Sequence, residues 1–258
     1  MQNLSPLVLL ERVGPVAIIT LNRPDQRNSV NTGLADALRK AIVEFETSPE
    51  LRIAVLTGAG AVFCAGMDLG AFLDGEGDSI LFGENLFAGF VNAKRSKPVI
   101  AAIEGAAVAG GLELALACDM IVSGKSAKFG LPEVQVGLFP VAGGAFRLAQ
   151  VIPPAKALEM CLTGDSITAT EAQNLGLINH LVPDGEAFSK AIELAGKIAS
   201  NAPLAVQALY QVSKFAKSNE QEAWAASRHW WHCIKDSEDA QEGPAAFKEK
   251  RSPQWTGK

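Results

Sequence analysis

Apolar positions in the first third of the chain fall in short runs separated by glycine, proline and asparagine. Leu7–Leu10 and Val16–Leu21 are β-rich runs on either side of Gly14-Pro15, which predicts a hairpin. Asn22-Arg23-Pro24-Asp25 breaks the second strand. Asn31 or Thr32 can cap a helix running to about Glu46, along which Leu34, Leu38, Ile42 and Phe45 form one apolar stripe. Ile53–Thr57 reads as a short buried strand ending at Gly58-Ala59-Gly60. A glycine-rich loop region from Gly66 to Gly77 follows, then a helix around Ile80–Ala93, and Lys97-Pro98 opens a further strand, Val99–Ile103.

The stretch from Glu104 to Phe146 carries the most information. Gly105–Cys118 is almost wholly apolar, and Met120–Val122 reads as another buried strand. Strands alternating with helices predict an α/β protein whose sheet is covered on at least one side. From Ser166 onward the pattern is mostly helical, over Thr168–Leu175, Gly185–Ala199, Pro203–Ala216 and Glu220–Ile234, the last holding Trp224, Trp230 and Trp231. The shift from α/β to all-α near residue 190 is the one candidate boundary, and it marks an appendage more than a separate domain. No linker, low-complexity tract or clear sequence repeat interrupts the chain.

Composition narrows the class. A chain of 258 residues is one large domain or two small ones, and folds without disulfides or metal. With 48% hydrophobic and 20% charged residues it is neither disordered, collagenous nor a coiled coil. The net charge of −5 argues against a nucleic-acid binder. Cys64, Cys118, Cys161 and Cys233 are widely spaced, and His180, His229 and His232 are the only histidines, so a zinc site is not expected. The cysteines read as reduced thiols. The apolar run within Met1–Arg12 is too short for a signal peptide, and no stretch approaches the length of a membrane span. The expected location is the cytoplasm.

Several motifs fail on inspection. No G-x-G-x-x-G leads from a strand into a helix, and no G-x-S-x-G elbow occurs. Gly124-Lys125-Ser126 resembles the end of a phosphate loop, but Asp119 stands where its first glycine belongs. Gly164-Asp165-Ser166 has no evident histidine partner, and His229 and His232 suit a helix surface better than a ligand set.

One constellation survives. Glu113 is the single ionisable residue in Gly105–Cys118. Glutamate is almost never fully buried unless it is paired or used, and burial raises its pKa toward the range suited to proton transfer. A salt bridge to a nearby arginine is the bland alternative. Gly110-Gly111 just before it puts backbone N–H groups at a helix N-terminus, where negative charge is favoured. Phe63-Cys64-Ala65-Gly66-Met67-Asp68 offers a second such turn. Two N–H donors from separate loops can form an oxyanion hole, roughly 2.7–4 kcal/mol per donor in acyl chemistry. Glu133, after Gly130-Leu131-Pro132, supplies a second carboxyl unless Pro132-Glu133 merely starts a turn.

These strings, with Asn22-Arg23-Pro24, Arg27-Asn28-Ser29, Gly137, Pro140, Gly143-Gly144, Thr163-Gly164, Glu171-Ala172 and Gly176-Leu177-Ile178, resemble the enoyl-CoA hydratase/isomerase (crotonase) family nearly end to end and in order. The resemblance implies a spiral of ββα units over residues 1–195 that binds acyl-CoA. It implies a C-terminal α-helical trimerisation region over 196–258, with Trp224, Trp230 and Trp231 in its packing, and a homotrimer or dimer of trimers. It further implies an acyl-CoA thioester whose carbonyl accepts from the N–H of Met67 and of Gly110, with stabilisation of the resulting enolate.

Both hydratase glutamates match by position. By analogy Glu113 orients or deprotonates water at Cβ and Glu133 delivers a proton to Cα, with the two pKa values pushed apart. No metal, nicotinamide or flavin is expected, coenzyme A being part of the substrate. Arg27 and Ser29 are expected near the nucleotide, and Ala65, Asp68, Leu69 and Gly70 around the pantetheine and adenine. Lys248, Lys250 and Arg251 form a basic patch that either meets phosphates or is a solvated helix end. One departure is Val141, where hydratases often have glycine. Dienoyl-CoA isomerases place an aspartate there, so Val141 argues against that reaction, and Glu113 argues for hydration or dehydration. The leading expectation is an enoyl-CoA hydratase of fatty acid metabolism. The alternatives are a Δ3,Δ2-enoyl-CoA isomerase using Glu133 alone, a specialised dehydratase of the carnitinyl-CoA type, and a non-catalytic acyl-CoA binder.

Overall fold

The computed structural model describes residues 6–215 and 220–258. The predicted hairpin forms from β1 (Val8–Val13) and β2 (Val16–Leu21), antiparallel and closed at Val13↔Val16. The predicted first helix is α1 (Thr32–Thr47); Asn31 caps it by accepting from the Leu34 N–H, and Leu34, Leu38, Ile42 and Phe45 are all buried. Then come β3 (Ile53–Gly58), α2 (Leu69–Ala71), α3 (Gly77–Phe82), β4 (Val99–Ile103), β5 (Ala106–Val108), α4 (Gly110–Ala117), β6 (Met120–Gly124) and β7 (Lys128–Gly130). Next are α5 (Gly144–Val151), α6 (Pro154–Thr163), β8 (Ile167–Thr168), α7 (Ala169–Asn174), β9 (His180–Val182), α8 (Ala187–Ala199), α9 (Pro203–Ser213), α10 (Glu220–Ile234) and α11 (Glu238–Glu249). Ala216, the last residue of the expected Pro203–Ala216 helix, lies outside the described residues.

Six strands form one sheet in the order β1-β2-β3-β4-β6-β9, parallel except for the β1–β2 pair. Its central strands are buried on both faces, which explains their nearly unbroken apolar runs. One face, with Ile19, Leu21, Leu56, Ala101 and Ile103, packs into the main core. The other, with Val16, Ile53, Val55, Ile100 and Val122, meets α8 through Ala187, Ala191, Ala195 and Ala199. That i, i+4 row of small side chains lets α8 lie close on the sheet. Among the described residues no helix is long and apolar enough to cross a membrane.

A second sheet, β5-β7-β8, fixes the site. The chain repeats one path: a strand in the large sheet, a pairing segment in the small one, then a helix. The path runs β3, Cys64, α2–α3; then β4, β5, α4; then β6, β7, α5. Cys64 pairs with Ala107, and Ala107 with Phe129, so three successive turns of the spiral lie in register.

Three sequence expectations need correction. Gly66–Gly77 is not simply loop: Asp68 caps α2, a π-type turn covers Phe72–Glu76, and α3 begins at Gly77. The helix expected over Ile80–Ala93 ends at Phe82, because Gly83 leaves the helical conformation, and Asn85, Leu86 and Ala88 then take left-handed backbone angles. The apolar stretch Gly105–Cys118 likewise divides into β5 and α4 at Ala109, whose φ of 50° is unusual for a side-chain-bearing residue.

Candidate active site

Each turn of the spiral delivers one part of the site just beyond its small-sheet segment. Cys64 leads to Met67, Ala107 to Gly110, and Phe129 to Glu133. All three line one cavity of about 500 Å³.

The amides come first. Met67 pairs in parallel with Val30, whose N–H donates to the Gly66 carbonyl and whose carbonyl accepts from Asp68. That pattern turns the Met67 N–H away from Val30. Gly110 is the first residue of α4, so its N–H has no acceptor within the helix. The turns bearing these amides are close: a Cβ on Gly66 would lie 2.8 Å from the Gly110 nitrogen. Glycine is required on the other side as well, since a Cβ on Gly111 would fall 2.1 Å from the Cys64 carbonyl oxygen, and one on Gly110 2.4 Å from the Phe87 ring.

The carboxyls come second. Glu113 is 3% exposed, one helical turn beyond Gly110, and its Oε1 accepts from the Gly144 N–H at 2.8 Å. Burial pushes its pKa up to about 7; the ionised Glu133 adds to the rise, while Gly144, Ala142 and Arg147 oppose it. Glu133 sits in the short 3-10 turn Pro132–Val136, and burial raises its pKa too. Its Oε2 is buried and has no hydrogen-bond partner among the described residues. The two pKa values are therefore both raised by the same cause.

The rest of the cavity is apolar. Leu69, Phe72, Leu81, Phe82, Phe87, Leu138, Phe139 and Val141 contribute to the wall, with Ala65 and Gln135. Phe72, Leu81, Phe82, Phe87 and Gln135 carry no motif and were invisible as site residues in the sequence. Gly144 stood in the sequence as a landmark, but nothing local announced it as the partner of Glu113.

Ala65, Leu69 and Val141 thus share the cavity with Met67, Gly110, Glu113 and Glu133, whereas Arg27, Ser29, Asp68 and Gly70 are not among its lining residues. Asp68 pairs with Arg23 at 3.0 Å and its Oδ1 accepts from Gly70 and Ala71. These bonds hold its pKa below the usual carboxylate range, against its partial burial. The Ser29 carbonyl accepts from the same Arg23, and Arg27 is exposed. Of the basic patch, Lys248 and Lys250 are exposed, while Arg251 is paired with Glu242 and Glu249.

A spiral α/β core that brings strand ends together around buried carboxyls and helix-terminal amides is the crotonase fold. Enoyl-CoA hydratase EchA1 from Mycobacterium marinum superposes with a TM-score of 0.94 at 44% identity, covering 98% of this chain and 100% of its own. Enoyl-CoA hydratase EchA19 of Mycobacterium tuberculosis is 43% identical over 256 residues, 97% of this chain and 96% of that one. The carnitinyl-CoA dehydratase of Salmonella arizonae is 40% identical over 261 residues, 98% and 100% of the two chains. The enoyl-CoA hydratase/isomerase family model matches residues 11–258. The chain belongs to the enoyl-CoA hydratase/isomerase family.

Proposed function

We propose that the protein is an enoyl-CoA hydratase, adding water across the 2,3 double bond of a 2-trans-enoyl-CoA. The observation that carries this reading is the pair of buried carboxyls, Glu113 and Glu133, lining the same cavity as Met67 and Gly110. In this reading the thioester oxygen accepts from both amides, which form the oxyanion hole. Donors fixed in the backbone favour the enolate over the neutral thioester, because the charge develops where they already point. Glu113, oriented by Gly144, takes the proton of water as its oxygen attacks Cβ. Glu133 gives a proton to Cα. Dehydration is the same path reversed.

An isomerase needs only a carboxyl that shuttles one proton, and the anchored Glu113 favours the hydratase. The relative named as a carnitinyl-CoA dehydratase keeps a dehydratase of that type as the second reading. Arg27, Ser29 and the Ala65–Gly70 loop are proposed to hold the CoA portion, with no cofactor beyond it. Residues 1–195 would form the acyl-CoA-binding core and 196–258 the assembly region of a trimer or pair of trimers acting in the cytoplasm. The exposure of Leu209, Trp224, Trp231 and Phe247 supports that assembly.

The test follows the loss of enoyl-thioester absorbance with crotonyl-CoA and a longer enoyl-CoA. Rapid loss with 3-hydroxyacyl-CoA as product is expected. Binding of the ester with no turnover of either substrate would overturn the reading.

A further inference from the structure

The turn that holds Glu113 is itself held. Arg147, on α5 just beyond Gly144, donates from Nη2 to the Val91 carbonyl at 2.6 Å and from Nη1 to the Ala142 carbonyl at 3.3 Å. Its guanidinium runs close beside Gly143, where an added Cβ would lie 2.7 Å from Nη1. Gly144 donates its amide to Glu113, and the Ala142 backbone also acts to lower the Glu113 pKa. One side chain therefore ties their turn to the end of the irregular segment that carries Phe87. We propose that Arg147 is a positioning residue for the hydration step: it locks the Ala142–Gly144 turn against Val91 and supplies the positive charge that faces Glu113.

The inference rests on the hydratase reading. The groups around Glu113 limit what else can play this part. Glu133 faces it from the 3-10 turn and is negative when ionised. Cys161, on α6, feels both carboxylates and carries no charge as a thiol. Arg95 lies near enough to act on Arg147 and is committed to Asp119 at 2.8 Å. Among the described residues, Arg147 is a cation that opposes the rise in the Glu113 pKa. A guanidinium also holds its donors in a rigid planar fork, whereas an ammonium is a point charge on a flexible stem.

The full-length protein is compared with Arg147→Gln and Arg147→Lys in crotonyl-CoA hydration from about pH 5.5 to about pH 9. The carboxyl stretch of Glu113 is titrated in parallel by infrared difference spectroscopy, with Glu113→Gln as the reference. For Arg147→Gln, kcat is expected to fall roughly tenfold or more with KM within about twofold. Its acid limb and carboxyl titration should both move up together. Arg147→Lys should bring the limb back and recover only part of kcat. A limb and a carboxyl titration that stay put in Arg147→Gln overturn the proposal, whatever happens to kcat. If Arg147→Gln does not fold, Arg147→Lys decides: lowered kcat at unchanged KM supports the tie, and wild-type kcat overturns it. Should the wild-type protein fail to hydrate any enoyl thioester, the hydratase reading falls, while the infrared titration still decides the charge effect of Arg147.

Discussion

Gly144 donates its amide to Glu113 at 2.8 Å, and a methyl group added at Gly144 would stand 3.0 Å from the Glu113 Cγ and 3.1 Å from its Oε1. The absence of a side chain is what lets the donor approach. Gly144→Ala should push the carboxylate aside while leaving the cavity walls in place. The carboxylate has to give by a few tenths of an ångström, less than the ~1 Å that costs about a hundredfold, so kcat should fall by roughly tenfold. Steady-state kinetics beside a thermal melt checks this; wild-type kcat in the folded variant would count against the assigned geometry.

Glu113→Gln and Glu133→Gln keep shape and remove the ionisable group. Each should lower kcat by about 10²–10⁴ and change the affinity for a saturated acyl-CoA little. Turnover assays and calorimetric titration of both variants provide the check, and hydration retained by Glu113→Gln would refute its role as base.

Burial of Glu113 also has a thermodynamic signature. Its pKa is about 7 in the folded protein against the ordinary 4.5, so the native state binds more protons between those values and stability falls as pH rises across that window. The burden is complete above pH 7 and is on the order of 3 kcal/mol. Glu113→Gln, which cannot ionise, should therefore be more stable than wild type at pH 8 and nearly equal to it at pH 4.5. Urea unfolding at the two pH values measures the gap.

Asn28 holds the loop behind Met67. It is fully buried with φ of 54°, accepts the Arg23 N–H at 2.9 Å, and donates to the Ala59 and Val62 carbonyls at 2.9 and 2.7 Å. Its own carbonyl accepts from Cys64, whose thiol is pushed up to about 12 by burial and so stays a donor. Asn28→Ala strands three backbone groups and should cost on the order of 3–5 kcal/mol. Denaturant titration checks it, and a loss below about 1 kcal/mol would show that water replaces the amide.

Val141 sets an isopropyl group on the cavity wall. Val141→Gly should raise kcat/KM for branched or bulky enoyl-CoA esters more than for crotonyl-CoA, a contrast read from paired kinetics on the two esters.

Much of this was written locally. Period and punctuation gave the hairpin, α1, β3 and β4, because each answers to its own residues. Glu113 stood out because one charge in an apolar run needs a reason. The failures share a cause. The helix expected over Ile80–Ala93 ends at Phe82, and the segment beyond Gly83 does not resume it because Phe87 must turn back against Gly110, a residue more than twenty positions away. The division of Gly105–Cys118 at Ala109 is imposed by pairing of β5 with β7. Arg147 and Gly144 declare themselves only once α5 lies beside α4. The threefold path that builds the site leaves no repeat in the sequence, since backbone pairing at Cys64, Ala107 and Phe129 asks for no particular side chain.

The two donors facing the cavity belong to the main chain. Short of a proline, replacing a side chain cannot delete them; it can only bend the turns that present them, and Gly66, Gly110 and Gly111 are where that bending would occur. The opposite wall is drawn in phenylalanine, leucine and valine, each open to exchange by a single codon. In the hydratase reading, heritable change can thus redraw which acyl group is admitted far more readily than it can erase the capacity to hold a negative oxygen.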